Sequence, residues 1–66
     1  METDLGKKIR DRRKELKMSQ ESLAQKSNIS RVTISAIENG KCQNVLVSTL
    51  TAIASALDTT VEIFLA

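Results

Sequence analysis

The side chains with which an enzyme moves protons or attacks an electrophile are nearly absent from this sequence. It has no histidine and a lone cysteine at Cys42. The same count rules out a Cys/His zinc site and an intramolecular disulfide, and a reduced cytoplasmic thiol is the plain reading of Cys42. No catalytic residue, metal or cofactor is expected. What remains is charge and hydrogen bonding. Residues 1–17 hold seven basic and four acidic side chains, a balance of +3, against +1 for residues 18–41 and −2 for residues 42–66. Positive potential is therefore concentrated on the first segment and around the centre of the chain. An ordinary solvated helix face has the same composition, so charge alone assigns no partner.

The stretch that could position such groups is 18–41, MSQESLAQKSNISRVTISAIENGK, which reads as two short helices joined by a tight turn. Ser19 precedes a run of good helix formers and is the expected N-cap of the first. Leu23 and Ala24 face inward, with Gln20, Gln25 and Lys26 outward. A helix of about two turns cannot hold alone and must lean on neighbours. Asn28 stands where a left-handed residue would end it, Ile29 plugs the turn, and Ser30 offers a second N-cap before RVTISAIEN. Ile34 and Ile37 supply the buried stripe of that second helix, and Gly40 closes it in the left-handed conformation glycine adopts at little cost. Val32 falls on the outer face, where an apolar side chain has no structural purpose unless something covers it.

Around this unit the chain supplies supports. Thr3 or Asp4 can cap a first helix running to about Lys17, with Leu5, Ile9 and Leu16 at helical spacing and Ile9 and Leu16 as core candidates. Arg13 follows Ile9 by four, which turns it inward, where it needs a partner. Glu38 follows the buried Ile34 by four and shares its face, so a partly buried Arg13–Glu38 ion pair is expected. After Gly40 the residues KCQNVLV suit a loop with Asn44 as a turn former. A further helix then begins at Leu46 or Val47, buries Leu50, Ile53, Ala54 and Leu57, and ends near Asp58. In the tail, TTVEIFLA, residues Val61, Phe64 and Leu65 fit a helical stripe, whereas Val61, Ile63 and Leu65 fit strand alternation. The β-branched composition favours the strand. A terminal strand has unpaired backbone groups, so Val61, Ile63, Phe64 and Leu65 are expected at an interface with a second subunit or another protein. With no proline, linker or repeat and no stretch of about 20 apolar residues, the chain reads as one soluble cytoplasmic domain, 1–66.

The stretch 18–41 resembles the helix-turn-helix of the Cro/repressor family (Cro/C1-type) of DNA-binding regulators, in which a glutamine opens the first short helix and E-N-G-K closes the recognition helix. KKIRDRRKELKMSQ resembles the family's first helix and STLTAIASALD its fourth, so the likeness spans about residues 5–58. It implies an all-α fold, a lambda-repressor-like bundle of four to five helices with the motif at about 19–40. Two departures stand out. NVLV replaces the Pro-Ser that often opens the fourth helix, and the tail at 59–66 resembles the strand-ended antitoxin branch of the family, where it would pair across a dimer.

Position by position, the resemblance implies that Gln20 touches a DNA phosphate, which suits a helix N-terminus with free amides and a positive dipole. Ser30, Arg31, Val32 and Ser35 would enter the major groove as the base readers. Arg31 can give two hydrogen bonds to guanine O6 and N7, Val32 can lie on a thymine methyl, and Ser30 or Ser35 can meet a base or a phosphate. Thr33, Asn39 and Lys41 are the remaining phosphate candidates, and Arg13 with Glu38 matches the family's scaffold ion pair. The expected function is sequence-specific binding to palindromic operator DNA as a homodimer that regulates transcription. The alternatives are an antitoxin that neutralises a toxin and autoregulates its operon, and an interaction module that has lost DNA binding.

Overall fold

Short capped helices with left-handed exits dictate the architecture, because each turn reverses the chain within a few residues. In the computed structural model, which describes residues 4–42 and 45–65, the order is α1 (Asp4–Glu15), α2 (Gln20–Ser27), α3 (Arg31–Glu38), α4 (Val47–Ala56) and α5 (Glu62–Leu65). Thr3 and Asn44, expected as a cap and a turn former, lie outside the described residues.

The two serine caps form as the sequence requires. Ser19 accepts from the Ser22 amide at 3.0 Å and Ser30 from the Thr33 amide at 3.1 Å, each from an extended backbone. Asn28 adopts φ 61° and Gly40 φ 74°, so both helices of the motif end in left-handed residues. Ser27, buried at the end of α2, ties the turn. Its hydroxyl donates to the Leu23 carbonyl at 2.7 Å and accepts from the Ile29 amide at 3.3 Å. Lys17 and Asp58 also take positive φ, 57° and 56°, at the exits of α1 and α4. There the Met18 amide reaches the Arg13 carbonyl at 3.0 Å and the Thr59 amide the Ala54 carbonyl at 2.9 Å, closures that satisfy the last carbonyls of each helix.

The core joins Ile9 of α1, Leu23 of α2, Ile34 and Ile37 of α3, Leu50, Ile53 and Ala54 of α4, Leu57 and Phe64 of α5. α3 packs on α1 and α2, α4 on α2, and α5 on α1. The motif is thereby held between the two longest helices, and the result is an all-α five-helix bundle.

Two expectations are corrected. The tail is a short helix and not a strand. Phe64 turns inward and is 4% exposed, because one helical turn after Thr60 lets a single large ring fill the gap beside α1. Burying that ring outweighs the β propensity of four β-branched neighbours. The second correction concerns Leu16. It is 38% exposed, since α1 stops at Glu15 and the turn carries Leu16 off the stripe that would have buried it. The buried side of α1 is instead Gly6, Ile9 and Arg13.

Candidate nucleic-acid interface

The site is built outward from one buried ion pair. Arg13 Nε donates to Glu38 Oε2 at 2.8 Å and Arg13 Nη2 to Glu38 Oε1 at 3.0 Å, a two-pronged contact in which the Glu38 side chain is 2% exposed and that of Arg13 11%. The remaining guanidinium nitrogen, Nη1, donates to the Met18 carbonyl at 2.8 Å, so the arginine also holds the turn that leads into α2. Glu38, by its hydrogen bond first and also by its charge, raises the Arg13 pKa above its ordinary value against the opposing effect of burial. A planar fork matched to a carboxylate explains why arginine and not lysine serves here.

From Glu38 the network continues to the surface. Gln20, the first residue of α2, donates from Nε2 to Glu38 Oε1 at 3.1 Å, and its Oε1 lies 3.5 Å from Arg31 Nη1 at the start of α3. Arg13, Ser19, Gln20, Glu21 and Arg31 together line an open polar cleft between the N-termini of the two motif helices.

The outer face of α3 presents the residues singled out in the sequence. Arg31 is exposed and Val32 is 73% exposed, with Ser35 and Ala36 half-buried on the next turn. Ser30 is exposed but committed as the cap, and its hydroxyl also donates to Thr33 Oγ1 at 3.2 Å. Asn39 Nδ2 donates to Ser35 Oγ at 3.3 Å, which joins one candidate phosphate contact to one candidate base reader. Lys41 is exposed just past Gly40. Gln20, Ser30, Arg31, Val32, Ser35 and Asn39 are thus placed along the N-termini and outer edge of two adjoining helices.

At the expected interface in the tail, Ile63 and Leu65 are exposed, at 52% and 67%, while Val61 packs against the core of its own chain and Phe64 belongs to it. Sequence reasoning missed three features. Leu46 and Val47, at the start of α4, are 70% and 76% exposed. Arg12 donates from Nε to the Leu57 carbonyl at 3.1 Å and from Nη2 to the Asp58 carbonyl at 3.3 Å, binding α1 to the exit of α4. Nothing in the spacing of Arg12 separates it from its basic neighbours. Gly6 is the third, and a glycine inside a helical pattern was a signal that could have been read. Among the described residues no helix is long and apolar enough to cross a membrane, and no three His, Cys, Asp or Glu side chains gather as metal ligands.

Comparison with known proteins places this geometry. The helix-turn-helix family matches residues 9–64. Among solved structures, the restriction-modification controller protein C.AhdI from Aeromonas hydrophila superposes with a TM-score of 0.88 at 29% identity, over 94% of this chain and 92% of that one. The controller protein C.Esp1396I gives 0.84 at 33% identity, over 96% and 80%. Its tetramer in complex with its natural 35-base-pair operator gives the same score and identity, over 96% and 82%. The fold also occurs within hydroxypropylphosphonic acid epoxidase from S. wedmorenis, with a TM-score of 0.83 at 29% identity, but this chain spans only 32% of that enzyme. A search of curated protein sequences finds no match.

Proposed function

Because this chain belongs to the helix-turn-helix family, in the Cro/C1-type group that includes the restriction-modification controller proteins, we propose that it binds operator DNA sequence-specifically and regulates transcription there. Val32 carries the proposal. At 73% exposure beside Arg31, it is an apolar side chain on the outer face of a short helix, which the floor of a major groove covers and water does not.

In this reading Arg31 pairs with guanine, Val32 lies against a thymine methyl, and Ser30 and Ser35 meet base edges or phosphate. Gln20, Thr33, Asn39 and Lys41 hold phosphates, which fixes orientation without reading sequence. The protein acts as a symmetric dimer on half-sites about one helical turn, roughly 34 Å, apart. Exposed apolar residues open to a second copy are Ile63 and Leu65 of α5 and Leu46 and Val47 at the start of α4. Control of restriction-modification genes is the favoured role, since both controller relatives match over nearly the whole of this chain. The helical tail also removes the feature that pointed to an antitoxin.

Selection of bound sequences from a random-site DNA pool, with sedimentation of the chain on the selected site, tests the proposal. Enrichment of a palindromic motif bound by two copies is expected. A pool that stays random would overturn it.

A further inference from the structure

Building on the proposed dimer, we propose that Arg12 is a positioning residue for self-association, which clamps the joint between α4 and α5 and so fixes the direction in which Ile63 and Leu65 face a second copy. α5 is a single turn, and a helix of that length cannot set its own orientation. Two of its amide bonds are long, at 3.3 Å from Ile63 to the Thr60 carbonyl and 3.3 Å from Leu65 to the Val61 carbonyl. Val61 and Phe64 hold it on the bundle by packing into the core. Such burial is non-directional, so it keeps the segment down without fixing its angle.

Arg12 supplies the direction. Its Nε donates to the Leu57 carbonyl at 3.1 Å and its Nη2 to the Asp58 carbonyl at 3.3 Å, so one planar fork grips two consecutive carbonyls. Asp58, at φ 56°, is the residue where the chain turns from α4 toward α5. The third nitrogen, Nη1, meets Glu15 Oε1 at 3.4 Å, which ties the fork back to α1. The charge also sits at the C-terminal end of α4, where the helix dipole favours a cation. Arg12, Lys8, Asp11 and Glu15 line the groove in which Ile63 and Phe64 lie. A surface already held at one angle loses less freedom when a second copy docks. Arg12 therefore strengthens the dimer, and through it the grip on two half-sites, without touching DNA.

The test uses Arg12→Met, which keeps an apolar stem and removes every donor, in the original chain and in the Ile63→Lys, Leu65→Lys chain. In the original chain, sedimentation should show the dimer dissociation constant raised about tenfold. In the second chain, which should be monomeric, affinity for a single half-site should not respond to Arg12→Met. A half-site affinity that falls, with the salt slope reduced by about one, would mark a phosphate contact and overturn the proposal. So would a loss of folding stability with an unchanged dimer dissociation constant, which marks a structural role alone. Amide relaxation of residues 59–65 in the monomeric chain, with and without Arg12→Met, tests the clamp by itself. Greater mobility in the variant supports it, and unchanged mobility overturns it. A dimer that persists through Ile63→Lys with Leu65→Lys overturns it as well, because the docking surface would then lie elsewhere. An original chain that stays monomeric on and off its operator would instead overturn the proposed dimer and the Arg12 role together. Should Arg12→Met fail to fold, Arg12→Lys, which keeps the charge and loses the fork, takes its place.

Discussion

Gly6 in α1 lies against the Ile37 carbonyl at the end of α3 so closely that a Cβ there would collide with that oxygen and stand 2.9 Å from the carbonyl oxygen of Glu38. The two helices approach through backbone, with no side chain between them. That brings Arg13, about two turns further along α1, within reach of Glu38. Gly6→Ala tests the relationship, because helix propensity alone predicts a gain of about 1 kcal/mol. Overpacking against rigid backbone costs about 1 to 3 kcal/mol. The clash should win, lowering the melting temperature by about 4–8 °C for each net kcal/mol lost. An unchanged or raised melting temperature would show that α1 can move aside freely.

Glu38→Ala should be among the most damaging single changes, since it leaves the Arg13 guanidinium buried and unpaired and also strips Gln20 of its acceptor. Breaking a buried pair from one side costs about 3 to 5 kcal/mol, a large share of the stability of a domain this small. Chemical denaturation measures it. A loss below about 1 kcal/mol would place the pair in the class of surface ion pairs.

Arg31→Ala and Lys41→Ala should separate reading from holding. The first is expected to relax one base position at a cost of about 1 to 3 kcal/mol. The second should weaken all sequences alike and reduce the salt slope by about one. A binding selection with unchanged base preference for Arg31→Ala would remove that residue from the reading set.

Val32→Ala should leave folding stability within about 0.5 kcal/mol, as expected for a side chain 73% exposed. Affinity for the selected operator should fall, and most of the loss should vanish when the contacted thymine is replaced by uracil, which lacks the methyl group. Equal losses on both DNAs would break the assignment.

The proposed dimer surface is best tested by point substitution. Removing the tail would take Phe64 out of the core and confuse folding with association. Ile63→Lys with Leu65→Lys changes exposed positions only and should shift sedimentation toward monomer with the fold retained. A dimer that persists would leave Leu46 and Val47 as the surface to examine.

Most of the motif was legible in the sequence because its determinants are local. A serine hydroxyl caps the helix that follows it, Asn28 and Gly40 accept a left-handed backbone, and isoleucines at helical spacing face one side. Each of these depends on residues within one or two turns. The expected Arg13–Glu38 pair followed from the same periodicity applied to two helices.

What the tertiary structure decided depends on partners distant along the chain. TTVEIFLA by itself suits a strand or a helix. Glu62–Leu65 are helical here because that turn puts the Phe64 ring into the core beside α1, and no local propensity encodes that packing. Gly6 is a glycine because a carbonyl from residue 37 passes over it. Arg12 differs from its basic neighbours only by the two carbonyls at the exit of α4 that it meets. The Gln20 amide is oriented by a carboxylate 18 positions away, so the residue types proposed to read DNA were visible in one dimension and their direction was not.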